Sequence, residues 1–145
     1  MDTAQTADIK SFMIGAMTVR PFAGNELMAV RIDAPKGAVA PAHSHPHEQM
    51  TLVVAGRLRF RVGEEWRELG PLDIVHIPGG VEHEAVMEED STFFDIFHPV
   101  RADLLQRQAE AEWQSSSATW WALDEAVMAG LTVAGFAVPA HTLRQ

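Results

Sequence analysis

The sequence predicts an all-β domain with a helical extension at its C-terminal end. Three observations lead there. Apolar and polar residues alternate over short stretches between Met17 and Val100. Turn-forming Gly, Pro and charged pairs break these stretches at roughly 8–12-residue intervals, the spacing of a β-sandwich or barrel. After Pro99 the composition shifts to strong helix formers.

Residues 1–16 are mostly polar and carry no period, so they read as an N-terminal arm. In the barrel region, residues 17–100, Met28, Val30 and Ile32 alternate with Ala29, Arg31 and Asp33, the pattern of a half-buried strand. Leu58, Phe60 and Val62 alternate with Arg57, Arg59 and Arg61, giving a strand with one apolar and one cationic face. Gly63-Glu64-Glu65 turns the chain and Trp66 opens the next strand; Leu72–Ile77 and Thr92–Phe97 supply two more. The inner positions are predicted to be Met28, Val30, Thr51, Val53, Leu58, Phe60 and Phe97. Residues 101–145 form the helical extension, with one helix over Val100–Trp113 and a second over Thr119–Leu131. Trp113, Trp120 and Trp121 serve packing, a lid over the barrel mouth or a dimer contact.

Composition narrows the function. A chain of 145 residues with 47% hydrophobic and 21% charged residues is an ordinary globular protein. Lys+Arg 11 against Asp+Glu 20 gives a net charge of -9, which repels phosphate and argues against nucleic-acid and anionic-membrane partners. The absence of cysteine excludes disulfides, thiolate nucleophiles and cysteine-based zinc sites. With no secretory pattern and no apolar stretch near the roughly 20 residues needed to span a bilayer, the expectation is a soluble cytoplasmic protein.

Three of the seven histidines crowd one segment, His43-Ser44-His45-Pro46-His47-Glu48-Gln49. Clustered histidines can be no more than a solvated turn. On a strand, however, His43 and His45 share a face with Gln49, and two imidazoles on one face make half a metal site. Gly37 lies six residues before His43 and Gly56 seven after Gln49; a second block runs Asp73-Ile74-Val75-His76-Ile77-Pro78-Gly79-Gly80-Val81-Glu82-His83.

Together the two blocks resemble the paired motifs of the cupins. The resemblance spans Gly37 to His83 and implies a small jelly-roll barrel enclosing a divalent metal ion held by His43, His45, Gln49 and His83. Zinc heads the candidates, with nickel, iron, cobalt and manganese also suited to such donors. Gln49 stands where most cupins carry Glu, and Leu72 where the second motif starts with Gly. An amide oxygen donates no negative charge, which leaves the ion fully dipositive and favours polarising a carbonyl over redox cycling. His76 is a reserve fourth ligand, and the alternative for it is a satisfied barrel histidine; His47 belongs to the rim of the site; His98 and His141 face solvent.

Phe93, Asp95 and Phe97 share one parity, which puts Asp95 on the inner wall. Burial there raises the pKa of an acid unless the metal or Arg101 offsets it. Asp95 and Arg101 are the catalytic candidates, the alternative being that Asp95 only pairs with Arg101 or caps a turn. Around HSHPHEQ and Phe94–Arg101 the chain is similar to the cupin-type aromatic polyketide cyclases of antibiotic biosynthesis, and also to the uronate-linearising cupins of pectin and alginate degradation. The extension beyond Arg101 favours the first group. That resemblance implies metal-dependent closure of a poly-β-ketone chain, free or carrier-bound, by enolate formation, aldol addition and dehydration. A non-catalytic ligand-binding cupin and a dioxygenase are further alternatives, and a homodimer fits the family habit of pairing sheets.

Overall fold

The computed structural model describes residues 1–114. The chain divides into two units, Met1–Ala111 and Glu112–Gln145, and the account below concerns the first. The second predicted helix, with Trp120 and Trp121, and His141 lie outside the described residues.

Ten strands form two antiparallel sheets: β1 (Phe12–Ile14), β2 (Met17–Ala23), β3 (Met28–Ala34), β4 (Val39–His43), β5 (Glu48–Ala55), β6 (Leu58–Val62), β7 (Glu65–Leu69), β8 (Ile74–Ile77), β9 (His83–Met87) and β10 (Ser91–His98). The larger sheet runs β1-β2-β3-β10-β5-β8 and the smaller β4-β9-β6-β7. Neighbours that are far apart in sequence, such as β3 with β10 and β4 with β9, are the crossovers of a jelly roll.

Period-2 alternation sets the two faces of each strand. On β3 the even residues Met28, Val30 and Ile32 are buried, and on β10 the odd residues Phe93, Asp95 and Phe97 are. Each fully buried aliphatic side chain, Leu58 and Val53 among them, contributes roughly 1.5–3 kcal/mol. Every inner position read from the sequence is buried. On the outer face Asp33 ties three strands together, accepting from Arg20 at 2.7 Å, Arg31 at 3.0 Å and Thr92 at 2.8 Å.

The structure departs from the sequence reading in two places. The segment read as an arm contains β1, which pairs with β2 and buries Phe12; three residues are too few to show a period. His43 and His45 do not share a strand. His43 ends β4 and His45 lies in the turn before β5, so the chain passes from one sheet to the other between them. After β10 a helix over residues 102–114 (α1) packs Leu104 into the core.

Leu72 is the one described non-glycine residue with positive φ, at 71°, and its side chain is 83% exposed. It stands where the cupin motif that the sequence resembles starts with glycine, a residue that takes this left-handed backbone freely, whereas a Cβ there costs about 1–2 kcal/mol. Leu72→Gly is expected to raise stability by up to about 1 kcal/mol in urea unfolding, because relief of backbone strain exceeds the added flexibility of the unfolded chain. A lower midpoint would show that the leucine side chain stabilises the fold.

A candidate metal centre in the barrel

His43 and His83 face each other because β4 and β9 pair in a register that sets them opposite, with ring centroids 4.3 Å apart. His45 is brought in by a contact between the two motif loops. The Gly80 N–H donates to the His45 carbonyl at 2.8 Å. Gly79 lies so close to Pro46 that a Cβ would come within 2.3 Å of its carbonyl oxygen, so only glycine fits there.

All three rings are held in one tautomer. Nδ1 of His43 donates to the Pro41 carbonyl at 2.8 Å, that of His45 to His47 at 3.1 Å and that of His83 to Val81 at 2.9 Å. A carbonyl can only accept, so each Nε2 keeps its lone pair. The three histidines gather ligand atoms within 4.8 Å of one another and could hold a metal ion. His83 Nε2 is buried and has no hydrogen-bond partner, an omission that a metal bond would repair. Burial, with the charge of Arg101 and His83, lowers the pKa of His45 to about 4, and burial also lowers that of His83. Neutral imidazoles are the form that coordinates.

Gln49 is buried at the start of β5, and its amide is oriented by a chain of hydrogen bonds. Asp95 Oδ1 accepts from the Thr51 hydroxyl at 2.6 Å, and Thr51 Oγ1 accepts from Gln49 Nε2 at 2.9 Å. With the carboxylate ionised, Gln49 Oε1 must then point the other way, and it lies 3.0 Å from His45 Nε2. Two lone-pair atoms so placed match the edge of a coordination shell with bonds of about 2.1 Å.

A cavity of about 260 Å³ adjoins these groups. Val19, Val30, Ile32, Phe60, Phe93 and Phe97 make much of its wall, while Arg101, Asp103, Leu104 and Arg107 supply the side that follows β10. Arg101 does not pair with Asp95. Its guanidinium binds Asp103 at 2.9 and 2.7 Å and lies 5.2 Å over the Phe97 ring. Burial raises the pKa of Asp95 to about 6, against the opposing effects of Thr51, Gln49 and Arg101.

Other residues fall elsewhere. His76 is not placed as a ligand: it lies on barrel strand β8 with its Nε2 satisfied by Glu48 at 2.8 Å, as the alternative reading had it, but it points outward, while its neighbour Ile77 is the buried one. His47 lies half-buried beside His45, orienting it through its carbonyl. His98 is exposed. The sequence reading took Thr51 as plain core and missed Asp103 and Arg107. Only a hydroxyl amid apolar inner positions could have flagged Thr51.

A raised carboxyl pKa makes a pH prediction in the metal-free protein. Asp95 favours the fold while it is neutral, and that contribution is lost as pH rises from its unfolded pKa of about 3.9 through about 6. Asp95→Asn is therefore expected to gain stability over wild type between pH 4.5 and 7.5, by on the order of 2 kcal/mol. His45 and His83 titrate in both proteins, so their effect cancels. A pH-independent difference between the two melting curves would show that the carboxyl is not desolvated.

The comparisons agree with this geometry. The family profile for the cupin domain matches residues 30–97. The chain is 35% identical over 83 residues to pectin degradation protein KdgF of Dickeya dadantii, covering 56% of this chain and 76% of that one. It is 39% identical over 64 residues to dimethylsulfoniopropionate lyase DddQ of Ruegeria pomeroyi, but spans only 32% of that protein's length and 43% of its own. Among solved structures, an RmlC-like cupin from Shewanella frigidimarina matches with a TM-score of 0.66 and 30% identity, over 69% of this chain and 92% of that chain. KdgF from Halomonas sp. matches with a TM-score of 0.65 and 31% identity, over 68% and 95%. With two antiparallel sheets, a histidine trio between them and relatives covered over most of their length, the chain belongs to the cupin family.

Proposed function

We propose that this protein is a metal-dependent, non-redox lyase or isomerase of small carboxylates, with an unsaturated uronate of pectin or alginate breakdown as its substrate. The observation that carries the reading is the buried chain from Asp95 through Thr51 to Gln49, which ends beside the histidine trio in a small cavity. A volume of about 260 Å³ lies just below the roughly 300–1,000 Å³ typical of pockets for drug-sized ligands. That suits a six-carbon acid better than a folded poly-β-ketone chain. The KdgF similarity supports the same choice.

A divalent ion, zinc first, held by His43, His45, His83 and Gln49 would supply Lewis acidity at a substrate oxygen. The chain's own groups do the rest. Opening the hemiacetal of an unsaturated uronate frees an enol, and tautomerisation moves one proton from that oxygen to carbon. Asp95, with a pKa of about 6, can both accept and return a proton near neutrality. Arg101, only 15% exposed, would offset negative charge developing on the substrate. The apolar wall keeps bulk water from the reacting atoms. Polyketide cyclisation is the second reading. It draws on the same proton transfer beside a carbonyl, and the Met17, Val30, Phe60 and Phe93 surfaces favour it.

Conversion of an unsaturated uronate to its linear keto acid, followed by NMR, is expected to need stoichiometric metal. Asp95→Asn should keep the metal and lose about 10²–10⁴-fold in turnover. Full activity after chelation, or in the Asn variant, rejects the scheme; ring closure of a poly-β-ketone mimic with no action on uronates selects the second reading. Thr51→Val should weaken metal binding about 10–100-fold by freeing the Gln49 amide to turn, while Thr51→Ser stays near wild type. Equal affinity in all three, measured by calorimetry, would exclude Gln49 as an oriented ligand.

A further inference from the structure

Two arginines line the cavity, and they are not equivalent. Arg101 has already committed Nε and Nη2 to Asp103, at 2.9 and 2.7 Å. That holds Arg101 against a carboxylate whose charge offsets part of its own and leaves only its end-on Nη1/Nη2 donors for anything else. Arg107 makes no ion pair or hydrogen bond among the described residues, although it lies on a protein of net charge -9.

Its position is held by the rest of α1. Leu104, three residues earlier, is buried in the core. Gln108, the next residue, donates to the Lys10 carbonyl at 2.7 Å and the Pro21 carbonyl at 3.3 Å. These two anchors bracket Arg107 and fix the rotation of the helix, so the guanidinium stays at the cavity wall. Arg107 is exposed, so its unpaired guanidinium stands at the mouth of the chamber, where it can bind a carboxylate in bidentate fashion.

We infer that Arg107 is the carboxylate-binding and specificity-determining residue of this cavity, set apart from Arg101, which is already paired with Asp103. It rests on the proposed reading only in taking the ligand to be an acid, and it names which residue selects that acid. An unpaired fork at Arg107 further implies preference for carboxylates over neutral sugars and over esters of the same acids.

The test is binding, with the full-length zinc-loaded protein and three probes: galacturonate, its methyl ester and galactose. Wild type is expected to bind galacturonate roughly tenfold or more tighter than the ester or the neutral sugar. Arg107→Gln should remove that advantage and leave ester and galactose binding unchanged, while Arg107→Lys keeps part of it. If Arg107→Gln binds galacturonate like wild type, or wild type binds the acid no better than the ester, the inference is overturned. Preserved, Arg107-dependent acid binding without any turnover of unsaturated uronates would remove the proposed reaction and leave this subsite standing.

Discussion

The site depends on one contact, the clasp between the loop that carries His45 and the loop before His83. Each loop belongs to a different part of the jelly roll, and strand pairing by itself brings together only His43 and His83. The Gly80 N–H on the His45 carbonyl and the close approach of Gly79 to Pro46 add the third imidazole. A side chain at Gly79 would hold the loops apart, and the trio would become a pair. The glycines of the second motif are therefore as much a part of the site as the histidines they position.

The second constraint is electrostatic. The donors around the trio are neutral, and Asp95, the one buried acid among the described residues, stands off behind a hydroxyl and an amide. That spacing separates two tasks. Gln49 can face the trio without adding charge, and Asp95 can take up a proton without being a ligand. Burial lowers the pKa of His45 and His83, and the charge of Arg101 adds to it. Arg101 gives its hydrogen bonds to Asp103 and reaches Asp95 only through its charge, which opposes the rise that burial imposes on that acid.

Much of the fold was legible because alternation reports burial directly. Met28, Val30, Leu58 and Phe97 follow a rule that needs only the local sequence. His43, His45 and His83 were legible through motif spacing, although the geometric argument for the first two was wrong: a turn between sheets, not one strand face, unites them. The same alternation that buries Ile77 turns His76 outward, so the local pattern held the answer there too. Thr51 was not legible as a functional residue. Its role exists only because β5 and β10 pair with Thr51 opposite Asp95, a contact between residues 44 apart that no local pattern encodes.

The helix illustrates the limit from the other side. Its sequence reads as a run of good helix formers, and propensity alone assigns every polar residue in it to solvent. Packing decides otherwise. Once Leu104 is drawn into the core and Gln108 donates to two backbone carbonyls, the rotation of the helix is set, and with it the face that Arg107 occupies. The barrel supplies an apolar chamber with donors at one end and an acid in its wall, machinery that is indifferent to what enters. A charge placed at the rim by an element outside the barrel can change the ligand without disturbing that machinery. On the proposed reading, selectivity belongs to the helix, where the sequence is least patterned, and chemistry to the barrel, where it is most.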